Sequence, residues 1–136
     1  MLEAYLQSLL AIVAASPIVR ASDVTLDQRV PRAGLIRGDL YFADGSRLHF
    51  RELVEVQAQV VRRMYSYHYQ AADTTLIFRY DDTPHHPDLS TFPHHKHDGS
   101  EENVVAVTPP DLPAVLREIE TIHALPFRRP PNLFVA

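Results

Sequence analysis

Apolar residues at Leu2, Tyr5, Leu6, Leu9, Leu10 and Val13 recur with the three- and four-residue spacing of a helix stripe, and the stretch stops at Pro17. It carries Glu3 and neither Lys nor Arg, and is shorter than a membrane span, so it reads as a cytoplasmic amphipathic helix rather than a secretory leader. From Ile18 to Asp82 the apolar period changes to two. Val24, Leu26 and Val30 alternate with polar residues before a break at Pro31-Arg32-Ala33-Gly34. Ile36, Leu40 and Phe42 continue to Ala43-Asp44-Gly45-Ser46, whose Asp-Gly pair signals a hairpin, and Leu48, Phe50, Val54 and Val56 keep the phase on the return. Glu52 falls in the same phase, which predicts an inward-pointing carboxylate. Tyr65, Tyr67 and Tyr69 then share one face, with Met64, Ser66 and His68 on the other, before a turn at Ala71-Ala72-Asp73-Thr74 and a strand at Leu76-Ile77-Phe78-Arg79-Tyr80. Between Arg51 and Met64 the apolar positions also suit a helix. The expected sheet is an antiparallel meander of about five strands.

Proline clusters at 84–93, 109–113 and 126–131 mark connections, because proline cannot donate to a strand ladder. A second amphipathic helix begins at Asp111 as N-cap, accepts Pro113 in its first turn, and repeats Leu112, Val115, Leu116, Ile119, Ile122 and Leu125. The expected class is therefore α+β, a meander-like antiparallel sheet with an N-terminal and a C-terminal helix and a His/Pro-rich loop. At 136 residues the chain, 1–136, is one domain, and Phe127 to Ala136 reads as a mobile or partner-bound tail.

Composition narrows the chemistry. No cysteine is present, which removes disulfides, thiolate metal sites and cysteine nucleophiles. A net charge of -4 excludes a polybasic binder, so any grip on nucleic acid is local. Eight histidines are present, and five of them (His85, His86, His94, His95, His97) fall between 85 and 97. Imidazole titrates near neutrality, so a pair can hold one neutral base and one protonated acid, on a loop stiffened by three prolines. In one reading these histidines, with Arg79 and Lys96, bind and cleave a phosphodiester. In a second, His95-x-His97 with His85, His86 or Asp98 holds zinc or another divalent metal, although no defined ligand motif is present. In a third, they are polar surface residues bonded to backbone. Tyr65, Tyr67, Tyr69, Tyr80 and Phe78 are either core and cross-strand pairs or a stacking face for bases beside the histidine loop.

The segments Met64-Tyr65-Ser66-Tyr67-His68-Tyr69-Gln70, Leu76-Ile77-Phe78-Arg79-Tyr80-Asp81, Pro84-His85-His86-Pro87 and Thr91-Phe92-Pro93-His94-His95-Lys96-His97, in that order, resemble the TumE family of toxins from bacterial type II toxin-antitoxin systems. One departure from the family pattern is Asp82, where an amide is expected. The resemblance implies a growth-inhibiting toxin held inactive by a cognate antitoxin that carries a DNA-binding domain. It assigns no catalytic residue, so the roles below rest on side-chain chemistry. The expected activity is that of a metal-independent ribonuclease needing no cofactor. His95, His97, His85, His86 and His94 supply acid and base, Arg79 and Lys96 stabilise the phosphate, and Tyr67, Tyr69 and His68 contact the RNA. Besides RNA and antitoxin, this reading expects no membrane partner and leaves room for a homo-oligomer. The alternative is a non-catalytic interaction module, metal-binding or not, that inhibits growth by occupying a cellular target.

Overall fold

The computed structural model describes residues 1–125, so the expected tail from Phe127 to Ala136 lies outside the described residues. The chain runs α1 (Leu2–Ala15), β1 (Val19–Val30), β2 (Ala33–Phe42), β3 (Arg47–Val56), β4 (Val60–Gln70), β5 (Leu76–Asp81), β6 (His95–Asp98), β7 (Val104–Ala106) and α2 (Leu112–Ala124). Seven strands form one antiparallel sheet in the order β1-β2-β3-β4-β5-β6-β7, so every strand pairs with its neighbour in sequence. The α+β meander expected from the sequence is present. It gains two strands beyond the expected five, β6 and β7, and β6 is the end of the stretch read as a histidine-rich loop. The ambiguous Arg51–Met64 stretch is two strands joined at Gln57–Gln59.

Alternation divides the sheet into two unlike faces. The inner face carries Ile36, Leu40, Phe42, Leu48, Phe50, Val54, Tyr65, Tyr67, Tyr69 and Phe78, all buried beneath Leu2, Leu9 and Val13 of α1 and Leu112, Val115, Leu116 and Ile119 of α2. Asp111 caps α2 by accepting from the Ala114 N–H at 3.0 Å. The β2–β3 hairpin turns through Gly45 at φ +83°, while Asp44 Oδ1 accepts the Ser46 N–H at 2.9 Å.

Glu52 points inward as its phase predicts and is 1% exposed. Its carboxylate accepts from the Tyr5 hydroxyl of α1 and from the Tyr67 hydroxyl at 2.6 Å, and Arg62 Nη1 donates to the Tyr67 oxygen at 2.6 Å. A bulge at Arg63 turns Arg62 inward, because Met64 pairs with Leu53 and Arg62 with Val54. Burial and the Glu52 charge push both the Tyr5 and the Tyr67 hydroxyls far above the ordinary phenol range, so both remain donors. No helix among the described residues is long and apolar enough to cross a membrane.

Candidate functional site

Neither helix covers the outer face, and there the polar positions of successive strands line up. The register places Asp39, His49, His68, Arg79 and His97 in one row across β2 to β6. The next row reads Arg37, Arg51, Ser66, Asp81 and His95, and the one beyond it is apolar, with Leu35, Leu53 and Met64. Over the β5–β6 end of these rows lies the segment 82–94, folded by consecutive turns. Its start is pinned by the Thr83 N–H and hydroxyl donating to Asp81 Oδ1 at 3.0 and 2.6 Å. Its end is pinned by the Thr91 hydroxyl, which donates to the His94 carbonyl at 2.7 Å and accepts the Val107 N–H at 3.2 Å.

Between loop and sheet is a cleft of about 560 Å³. One wall is Leu35, Leu53 and Met64; the other is Arg51, Arg79, Asp81 and His97, with Thr83, His85 and His86 reaching in from the loop. At the β6 side the imidazoles of His86, His95 and His97 pack edge to face, with ring centroids 4.9, 5.0 and 5.9 Å apart. His95 and His97 share a face because they are two residues apart on a strand.

Hydrogen bonds fix the tautomers of the two strand histidines. His95 Nδ1 lies 2.9 Å from the Pro93 carbonyl and His97 Nδ1 lies 2.9 Å from the Glu101 carbonyl. A carbonyl only accepts, so both Nδ1 atoms donate and both Nε2 atoms are left for the site. His95 Nε2 lies 3.0 Å from Asp81 Oδ1, and His97 Nε2 lies 3.9 Å from Asp81 Oδ2. Burial opposes the charge on Asp81, yet the Thr83 donors, His95 and Arg79 outweigh it and hold its carboxyl below the usual carboxylate range. Arg79 donates from Nε to Asp81 at 3.1 Å and reaches Glu101 through Nη1 at 2.8 Å. Beside it, His68 is lowered below the ordinary histidine range, first by burial and then by the Arg79 charge, and so presents a neutral ring.

The sequence-derived candidates divide between the two faces. Arg79, His97, His86 and His85 line the cleft; His95 stands behind them, 2% exposed, and His68 adjoins Arg79 in the same row. The structure does not bring Lys96, His94, Tyr67 or Tyr69 to this side. Lys96 alternates to the inner face, donates to Glu118 of α2 at 2.8 Å and lies 5.0 Å from the centre of the Tyr80 ring. Tyr80 also bonds Glu118, at 2.6 Å, and its hydroxyl is pushed up to about 12 by burial and that carboxylate. His94 stacks on Tyr65, its Nδ1 3.0 Å from the tyrosine hydroxyl. Tyr67 and Tyr69 are fully buried, Tyr69 between Ser46 and His123 of α2. Arg51 was not singled out in the sequence, and its signal is its phase, opposite to Phe50 and Glu52 on β3. Asp82, the departure noted above, accepts the Tyr65 N–H at 3.2 Å.

Residues 9–123 match the family model described as Toxin TumE. The chain belongs to the TumE toxin family. Its role is accordingly that of a toxin, and the match takes in every strand and the whole cleft. No curated protein and no solved structure matches the chain.

Proposed function

We propose that this TumE toxin inhibits growth by cleaving RNA at the outer-face cleft through histidine acid–base chemistry that needs no metal. The observation that carries the reading is His97: its Nδ1 is committed to the Glu101 carbonyl and its Nε2 faces a cleft shared with His86, Arg79 and Arg51. In that tautomer Nε2 can take the proton of a ribose 2'-hydroxyl as it attacks the adjacent phosphorus. His86 is the second titratable ring at the same place and returns a proton to the departing 5'-oxygen. Arg79 and Arg51 meet the charge that builds on the non-bridging oxygens. His95 is a positioning residue here, since Asp81 and Pro93 occupy both its nitrogens. The apolar wall of Leu35, Leu53 and Met64 gives a base a surface to lie on. RNA is favoured over DNA because the 2'-hydroxyl supplies the nucleophile.

A toxin family implies a cognate antitoxin, and the same cleft is the surface whose cover would silence the reaction. Hydrogen exchange in the complex is expected to slow over residues 83–91.

The test pairs growth with cleavage. Purified toxin is expected to cut RNA in the presence of a chelator, and His86→Ala with His97→Ala is expected to abolish both cleavage and growth inhibition. If the folded double variant still inhibits growth, the ribonuclease reading fails and a non-catalytic module that occupies its target replaces it.

A further inference from the structure

The imidazoles at the end of the cleft are also arranged to hold something other than a proton. One ring nitrogen from each of His86, His95 and His97 lies within 4.8 Å of those of the other two. His95 and His97 each spend Nδ1 on a backbone carbonyl, and that support is what orients an imidazole whose other nitrogen ligates a metal. The two rings stand on one face of a strand that is paired on both sides, by β5 and by β7, so their positions are set before any ligand arrives. The Asp81 carboxylate lies 3.0 Å from His95 Nε2, close enough to compensate a positive charge held at that atom.

We propose that His86, His95 and His97 form a binding site for one divalent cation of the zinc class, with Asp81 beside it compensating the charge. Donor chemistry selects the class: imidazole nitrogens suit zinc and its neighbours, whereas magnesium and calcium require oxygen ligands. Three histidines with a fourth position left open are a set that zinc accepts. Bonds of 2.0–2.1 Å place tetrahedral ligand nitrogens about 3.3 Å apart, so the widest separation must close by at most about 1.5 Å. His86 supplies this movement, because it is half-buried on the loop whereas His95 and His97 are held in the ladder. The opposing charge nearby is Arg79, which Asp81 and Glu101 already pair. Bound zinc takes the lone pairs that the acid–base reaction uses and so turns the toxin off; this consequence, unlike the binding itself, rests on the ribonuclease reading.

The test is calorimetric titration of the untagged, metal-stripped full chain with zinc chloride, without RNA, and with magnesium chloride as the contrast. Saturation at one zinc per chain is expected, with affinity reduced at least about tenfold in His86→Ala and in His97→Ala and unchanged in His94→Ala, whose ring is on the other side of the sheet. Circular dichroism of each variant separates lost binding from lost fold, and His86→Ala, altered only in the loop, keeps the test valid if His97→Ala unfolds. No saturable binding below the order of 1 mM zinc, or affinity unchanged in folded His86→Ala, overturns the proposal. Cleavage assays with added zinc read the second claim separately: activity that survives saturating zinc overturns the silencing.

Discussion

His95 Nε2 and Asp81 Oδ1 face each other at 3.0 Å across the β5–β6 ladder, with side-chain exposures of 2% and 8%. Asp81 lines the cleft, and His95 stands behind it. Asp81 also receives the Thr83 donors and Arg79 Nε, so one carboxylate ties together the strand, the start of the loop and the guanidinium.

Because its folded carboxyl is depressed, Asp81 contributes stability that is fully present above the ordinary value of 3.8 and is lost as pH falls through that value toward the folded one. Asp81→Asn is therefore expected to lower the melting temperature at pH 7 and to narrow its gap from wild type below about pH 4, as read by thermal melts across pH. A gap that stays constant down to pH 2.5 would contradict the assignment.

On the ribonuclease reading Arg79 and His97 act on different features of the same phosphate, so their losses are separable. His97→Ala is expected to reduce RNA cleavage by roughly a hundredfold, the usual loss for a general base. Arg79→Ala should cost a comparable factor, and Arg79→Lys should recover only part of it, since a point charge lacks the planar fork. Single-turnover rates on a short oligoribonucleotide measure all three.

Lys96, the only lysine in the chain, is expected to matter for stability and not for toxicity. Its bond to Glu118 fastens β6 to α2, and Lys96→Ala should cost about 1–2 kcal/mol in urea unfolding while leaving cleavage per folded molecule unchanged. A hundredfold drop in cleavage by a stable Lys96→Ala would place it back at the phosphate.

Tyr67→Phe removes the hydroxyl that links Arg62 to Glu52 at full burial. The expected loss is about 1–3 kcal/mol, because a buried carboxylate and a guanidinium each lose a partner. RNA affinity, measured by fluorescence anisotropy, should not change.

Alternation made much of this legible in the sequence. The parity of Tyr65, Tyr67 and Tyr69 against Ser66 and His68, and the inward phase of Glu52, could be read directly, because a strand side chain has only two directions. The strand character of His95-Lys96-His97-Asp98 could not. Four polar residues have no β preference of their own, and their extension is imposed by pairing with β5 and β7. Missing that strand hides its consequence, which is that Lys96 must point away from the histidines on either side of it. The pairing of His95 with Asp81 was hidden for the same reason, since fourteen positions separate them in sequence and only the register joins them.

The meander also sets an order of manufacture. As no strand crosses over another, the sheet can be laid down from β1 onward as the chain leaves the ribosome, and the aromatic inner face is largely present by β5. The histidine strand is the sixth of seven, and its outer neighbour, β7, ends at Ala106. An unfinished chain that stops at β5 therefore lacks His95 and His97 altogether, and on the ribonuclease reading it cannot carry out the toxin's chemistry.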